Sequence, residues 1–342
     1  MPALTDRVRG RSIVARLTVR EKALERRMLR NLGLVEDRLL ACVREPSVPV
    51  LADVAGHLVI AGGKRFRPLL TLLGAEFGDL DRPGVIDAAV VSELVHTASL
   101  HHDDVMDEAR FRHGVVSVNA CWGNTVAVRS GNWLLAKAAQ LSAGLTPEAI
   151  PLQAEASERL VRGQVLELTG PALPEDRLDH YFAVVSDKSA SLISFALRLG
   201  AVQAGAPHRV GRALERYGEH LGVAFQISDD LLDITSSVGE SGKEQGKDLE
   251  VGVAGLPMLL ALEDAHPGDE ELRGLLGRPG GVQGEDRDRA LALLQRSPAV
   301  DRARALMTER LTGARESLAS LPSGGPRRAL GALCDFVGSR TH

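Results

Sequence analysis

Aromatic side chains make up only 3% of the 342 residues, with two tyrosines and two tryptophans. A core must then be assembled from Leu, Val, Ala and Ile, and the weight of Leu and Ala favours helices over strands. Cysteines are equally scarce: Cys42, Cys121 and Cys334 are odd in number and far apart. That excludes a disulfide framework and a cysteine metal site, and it points to a reducing, cytoplasmic setting. No apolar run reaches the roughly 18 residues needed to span a bilayer. A large charge excess is missing too: 41 Lys and Arg oppose 45 Asp and Glu, a net −4 that gives no electrostatic case for nucleic acid. Only the N-terminus departs, with nine basic residues against three acidic ones over positions 1–30. Such a run is ordinarily a solvated helix face, and it lacks the apolar segment of a signal peptide. Residues 1–20 are therefore read as a basic N-terminal arm with at most peripheral membrane contact, and 21–342 as one domain.

What is plentiful is apolar spacing of three and four residues, the signature of amphipathic helices. It predicts helices over 21–44, 50–61, 68–78, 84–109, 123–143, 147–168, 175–204, 207–235, 256–265, 284–295, 298–318 and 325–338. Residues 236–255, polar and rich in glycine, read as a loop; 266–283 reads as a connector; no alternating strand is visible. The apolar helix 84–109 is a candidate face for a second copy of the chain. The expectation is a single all-α domain.

Against this even background, "HHDDVMDEARFRHG" at 101–114 gathers Asp103, Asp104 and Asp107, and "QISDDLLDITS" at 226–236 repeats the pattern with Asp229, Asp230 and Asp233. On a helix, residues four apart share a face, so Asp103 pairs with Asp107 and Asp229 with Asp233. Carboxylates packed this closely inside apolar helices repel one another and require a cation. Arg or Lys could supply it. Hard oxygen donors without His or Cys equally suit Mg²⁺, which keeps several waters and bridges one or two carboxylates to a substrate phosphate. The two clusters make chemical sense as walls gripping a magnesium-bound diphosphate. Cations for such a diphosphate are present in "GGKRFRP" at 62–68 (Lys64, Arg65, Arg67), at Arg112, at Lys188 in an otherwise apolar helix, and at Lys243 and Lys247.

Together these residues resemble the trans-isoprenyl diphosphate synthases, the polyprenyl synthetase family. The resemblance runs through "GGKRFRP", "LVHTASLHHDDVMDEA", "CWGNT", "DKSASLI", "GVAFQISDDLLD" and "GKEQGKDL", from about residue 20 onward. It implies an all-α, single-domain helical bundle of the isoprenoid synthase type around a deep central cavity. The implied reaction ionises an allylic diphosphate and adds isopentenyl diphosphate, making the chain a transferase, commonly a homodimer. By position, Asp103, Asp107, Asp229 and, through water, Asp233 resemble the magnesium ligands. Lys64, Arg67 and His96 resemble the isopentenyl diphosphate pocket. Arg112, Lys188, Gln226 and Lys243 resemble the groups that hold and activate the allylic diphosphate.

The chain departs from the family pattern at His113, where a second arginine is usual, and at Asn132, Ser189 and Gly255, where Asp, Thr and Thr are common. His113 retains the ability to donate to a diphosphate. Product length in the family is limited by bulky residues just before the first motif. Here those positions are Ala98 and Ser99, both small, which predicts a medium- or long-chain product, at least geranylgeranyl diphosphate. A terpene cyclase and a catalytically impaired subunit of a heteromeric synthase are the alternatives. Lys64, Arg67 and His96 and the DDxxD pattern of the second motif argue against the cyclase, and the completeness of both aspartate clusters argues against the impaired subunit.

Overall fold

The three- and four-residue spacing does form helices, in a computed structural model that describes residues 12–19, 21–45, 48–173, 176–235, 245–252, 254–263, 270–278 and 280–340. In chain order these are α1 (12–17), α2 (Lys22–Arg44), α3 (Pro49–Ala61), α4 (Phe66–Ala75) and α5 (Val85–Met106). A hairpin follows, β1 (Phe111–Arg112) and β2 (Val115–Val116), then α6 (Val118–Trp122), α7 (Asn124–Ser142), α8 (Ala149–Thr169) and α9 (Arg177–Val185). A π-helical stretch, Ser186–Ala190, leads into α10 (Ser191–Gln203) and α11 (His208–Thr235). The rest is α12 (Lys247–Val251), α13 (Leu256–Glu263), α14 (Glu270–Leu276), α15 (Gly284–Leu294), α16 (Pro298–Ala319) and α17 (Gly325–Ser339). The protein is all-α.

Four sequence expectations are corrected. Part of the segment 110–122, between two predicted helices, is a two-residue β-ladder pairing Phe111 with Val116 and Arg112 with Val115. His113 and Gly114, both at positive φ (53° and 82°), close it. Positive φ at both central residues is what a type I′ hairpin demands, and His tolerates that region better than most side chains. The glycine-rich loop contains α12 and the 266–283 connector contains α14; both helices are too short for periodicity to detect. The 175–204 helix is interrupted by the π-helical stretch. Finally, α5 presents no broad face to a partner: from Val85 to Asp104 nearly every residue is buried, against α2, α4, α7 and α10 of its own chain.

The chain divides into two compact units. The first comprises the chain to Leu160 with Ser191–Gly218 and Ser317–Ala332. Its centre is α5, which is enclosed on most sides and buries polar residues such as Glu93 and His101 among its apolar ones. Helices α4 and α10 meet there backbone to backbone. A Cβ on Gly200 would lie 1.9 Å from the Thr71 carbonyl oxygen, and one on Gly74 2.2 Å from that of Leu197. Only glycine permits this approach.

The second unit comprises Val161–Ala190, Glu219–Glu316 and Leu333 onward. Its π-helical stretch is gripped by two glycines: a Cβ on Gly163 would meet the Lys188 nitrogen at 2.7 Å, and one on Gly222 the Ala190 Cα at 2.4 Å. An extra residue in a helical turn re-aims the side chains beside it, and here the re-aimed residues include Lys188. In α1, which belongs to the first unit, Val14 and Leu17 are buried.

Candidate active site

In the first unit the aspartate motif ends α5. Asp103 is 9% exposed, whereas Asp107 is the solvent-exposed C-cap, its N–H donating to the Asp103 carbonyl at 2.8 Å. The middle residue, Asp104, is fully buried and is held from the hairpin by Arg112, whose Nε and Nη2 lie 2.7 and 2.6 Å from Oδ1. Its Oδ2 has no hydrogen-bond donor among the described residues. Burial raises the pKa of Asp104, and the Arg112 hydrogen bond partly offsets this. The helical spacing that pairs Asp103 with Asp107 leaves Asp104 on another face, and there the structure gives it an anchoring contact.

The cations predicted around it do assemble. Gly62 and Gly63 lead into Arg65, which takes a left-handed conformation (φ 47°) as N-cap of α4. Arg65 is spent internally: it donates to Glu36 at 2.7 and 2.9 Å, to Glu93 at 3.1 Å and to the Val59 carbonyl at 2.7 Å. Burial opposes its charge, but Glu36 and Glu93 prevail and its pKa is raised. With Arg65 fixed, Lys64 is exposed and Arg67 is half-buried, its Nε without a hydrogen-bond acceptor among the described residues. Burial lowers the Arg67 pKa to about 10, against the opposing charges of Glu93 and Asp103. His96, likewise with an unpartnered Nδ1, is pushed well below the usual histidine range by burial and by the nearby positive charges of Arg67, Arg112 and Arg65. His113, a ring carbon of which lies 4.0 Å from where a Gly63 Cβ would be, is also lowered, by burial, Arg112 and Arg65. Arg67, His96, Arg112 and His113 therefore form one neighbourhood in which burial and the arginines disfavour the charged form of both imidazoles.

In the second unit the motif lies on α11 and repeats the design of the first. Asp230, the middle residue, is 5% exposed and accepts three hydrogen bonds: from Tyr181 Oη at 2.7 Å, Gln226 Nε2 at 3.0 Å and the Leu256 amide at 2.9 Å. A Cβ on Gly255 would sit 3.3 Å from the Asp230 carboxylate, a tight contact that the carboxylate could relieve by shifting a few tenths of an ångström. Asp229, by contrast, is 42% exposed and meets Arg340 Nη2 at 2.7 Å. Asp233 accepts from the amides of Lys247 and Asp248, both at 3.3 Å, at the start of α12.

Lys188 pairs with Glu167 of α8, which answers the need for a partner in an apolar helix. Gln226 accepts from Ser189 at 3.0 Å while donating to Asp230. Lys243 lies outside the described residues. Asn132 is exposed on α7, and Ala98 and Ser99 are both buried on α5, the serine hydroxyl donating to the His96 carbonyl at 2.8 Å.

Sequence reasoning missed Tyr181, Arg340 and the Glu36/Glu93 pair. Tyr181 left a signal. It is one of two tyrosines in the chain and precedes Lys188 by two helical turns; a buried tyrosine needs an acceptor for its hydroxyl. Arg340 left none, since only tertiary structure brings residue 340 to residue 229.

The exposed donors of both motifs are carboxylate oxygens alone. That set fits a hard divalent cation such as Mg²⁺, which needs only one or two protein carboxylates when a substrate phosphate completes its shell. Among the described residues no three His, Cys, Asp or Glu side chains cluster as a self-sufficient metal cage. No described helix is long and apolar enough to cross a membrane.

Comparison with known proteins agrees with this chemistry. Residues 48–293 match the polyprenyl synthetase family model, and the chain belongs to that family. It is 46% identical over 292 residues to nonaprenyl diphosphate synthase of Mycobacterium tuberculosis, covering 85% of this chain and 87% of that protein. Among solved structures it superposes on polyprenyl synthase from Caulobacter crescentus, complexed with calcium and isoprenyl diphosphate, with TM-score 0.83 and 34% identity. That match covers 96% of this chain and 98% of the other. Geranylgeranyl pyrophosphate synthase from Corynebacterium glutamicum, likewise with calcium and isoprenyl diphosphate, gives TM-score 0.84 and 37% identity, over 94% and 98%. The helical fold of the isoprenoid synthases is thereby established for this chain.

Proposed function

We propose that this polyprenyl synthetase is a chain-elongating (E)-prenyltransferase that condenses isopentenyl diphosphate with an allylic diphosphate and releases a medium- or long-chain polyprenyl diphosphate, at least geranylgeranyl diphosphate. The observation that carries the reading is the repeated design of the two motifs. In each, the middle aspartate is buried and pinned by internal donors, Asp104 by Arg112 and Asp230 by Tyr181, Gln226 and Leu256, while an outer carboxylate, Asp107 or Asp229, stays exposed. Buried anchors of this kind fix a ligand-bearing turn in place before any ligand arrives, which is what electrostatic catalysis requires.

Asp103, Asp107, Asp229 and, through water, Asp233 would hold Mg²⁺. When bound, that ion neutralises charge on the departing diphosphate and lowers the barrier to its loss. Arg112, Lys188, Gln226 and Lys243 hold and orient the allylic diphosphate. Lys64, Arg67 and His96 hold isopentenyl diphosphate, and His113 donates to it. Neutral His96 contributes an N–H donor rather than a charge, so Arg67 and Lys64 supply the counter-charge. Ala98 and Ser99 leave room for a growing tail. The reading includes a homodimer, and a place in the cytoplasm with which the free thiols of Cys42, Cys121 and Cys334 are consistent.

Incubation of purified protein with Mg²⁺, isopentenyl diphosphate and labelled allylic primers, followed by sizing of the products, tests this directly. Extended diphosphates are expected. Release of a hydrocarbon would indicate a cyclase, and no turnover without a second protein would indicate an impaired subunit; either overturns the reading.

A further inference from the structure

Asp229 is the exposed carboxylate of the second motif, and among the described residues one cation touches it: Arg340, at the end of α17, with Nη2 2.7 Å from Oδ1. The guanidinium stacks 4.7 Å above the ring of Phe225, one turn earlier on α11, and is 22% exposed. Its Nη1 is buried with no acceptor among the described residues. Arginine grips a carboxylate most firmly through two parallel N–H donors. Here one donor carries the contact, and the aromatic face holds the rest of the group.

We propose that Arg340 is the resident counter-cation of Asp229, which it neutralises in the metal-free protein and yields to a divalent cation when a diphosphate binds. The inference rests on Asp229 being a metal ligand, as in the function proposed above. Asp229, Asp230 and Asp233 place three carboxylates within about one turn, and mutual repulsion would strain that turn if Asp229 stood unneutralised. A single-donor contact at a partly exposed site is weak enough to surrender. The Phe225 face gives the guanidinium a place to remain after it has let go, since cation–π contact does not require the carboxylate. Arg340 thus sets the metal requirement of the second motif by competing for one of its oxygens.

The test is thermal unfolding of the full chain in a titration of Mg²⁺ at fixed inorganic pyrophosphate, comparing wild type with Arg340→Gln. The variant is expected to melt lower without ligands. It should reach its half-maximal upward shift at a Mg²⁺ concentration about two- to fivefold below that of wild type, the range set by the strength of an exposed ion pair. In an Asp229→Asn background the same arginine substitution should leave the Mg²⁺ midpoint unmoved. Should Arg340→Gln fail to fold, Arg340→Lys, which loses the planar stack but keeps the charge, should show a smaller decrease in the same direction. An unchanged midpoint overturns the proposal, and a raised one assigns Arg340 to holding the diphosphate instead. If wild type itself shows no shift with Mg²⁺ and pyrophosphate, the metal–diphosphate reading fails and the proposal falls with it.

Discussion

Replacing Tyr181 with Phe removes one oxygen and no packing volume, so its effect isolates a single hydrogen bond. That bond, 2.7 Å from Oη to the Asp230 carboxylate, is one of three that the buried anion accepts. A hydrogen bond to a charged group contributes about 1.5–3 kcal/mol, and at 5% exposure water cannot replace the donor, so the expected loss is about 2 kcal/mol near neutral pH. The loss has a predictable pH dependence. Burial raises the pKa of Asp230 above that of an unfolded carboxylate, and the Leu256 amide, Tyr181 and Gln226 partly offset this. A raised folded value means that the ionised group costs stability above that value, and that the cost disappears as the pH falls below it. Removing a donor to the anion raises the folded value further, so the penalty of Tyr181→Phe is full in neutral solution and shrinks on acidification. Urea unfolding at about pH 7.5 and about pH 5 measures both limbs. A variant as stable as wild type at the higher pH, or one with the same deficit at both, would refute the role assigned to Tyr181.

Two further outcomes follow from the first unit. Gly200→Ala, favourable by up to about 1 kcal/mol in an ordinary helix interior, should instead destabilise by roughly 3 kcal/mol, because its Cβ would meet the Thr71 carbonyl at 1.9 Å; urea unfolding reads the sign. His113→Arg should lower the KM for isopentenyl diphosphate about tenfold at neutral pH, the effect of adding one charge-assisted hydrogen bond where a neutral imidazole stood; an unchanged KM would remove His113 from the substrate's surroundings.

The long elements and the chemistry of the motifs were legible in the sequence because both depend on local spacing. The apolar stripes of α2, α7 and α11 and the paired aspartates four apart need no tertiary information. What escaped depended on contacts across the chain. That α5 is buried follows from its apolar run, but an apolar run does not say which chain covers it. The short α12 and α14 were missed because five to seven residues are too few to show a period. Arg112 and Gln226 were expected to serve the substrate alone. The structure shows each also serving a middle aspartate, a dual use that single-residue reasoning cannot see. Arg65 reads as one more cation in "GGKRFRP", yet its partners Glu36 and Glu93 lie on other helices and commit it to the fold.

The function proposed above has both aspartate motifs serving one metal-bound diphosphate. A double-mutant cycle with Asp103→Asn and Asp229→Asn, read by equilibrium binding of an unreactive allylic thiolodiphosphate in Mg²⁺, tests it most directly. Each single change should weaken binding at least about tenfold, and the pair should lose little more than either alone, because groups that share a ligand are not additive. Losses that simply add, or a variant that binds like wild type, would contradict it.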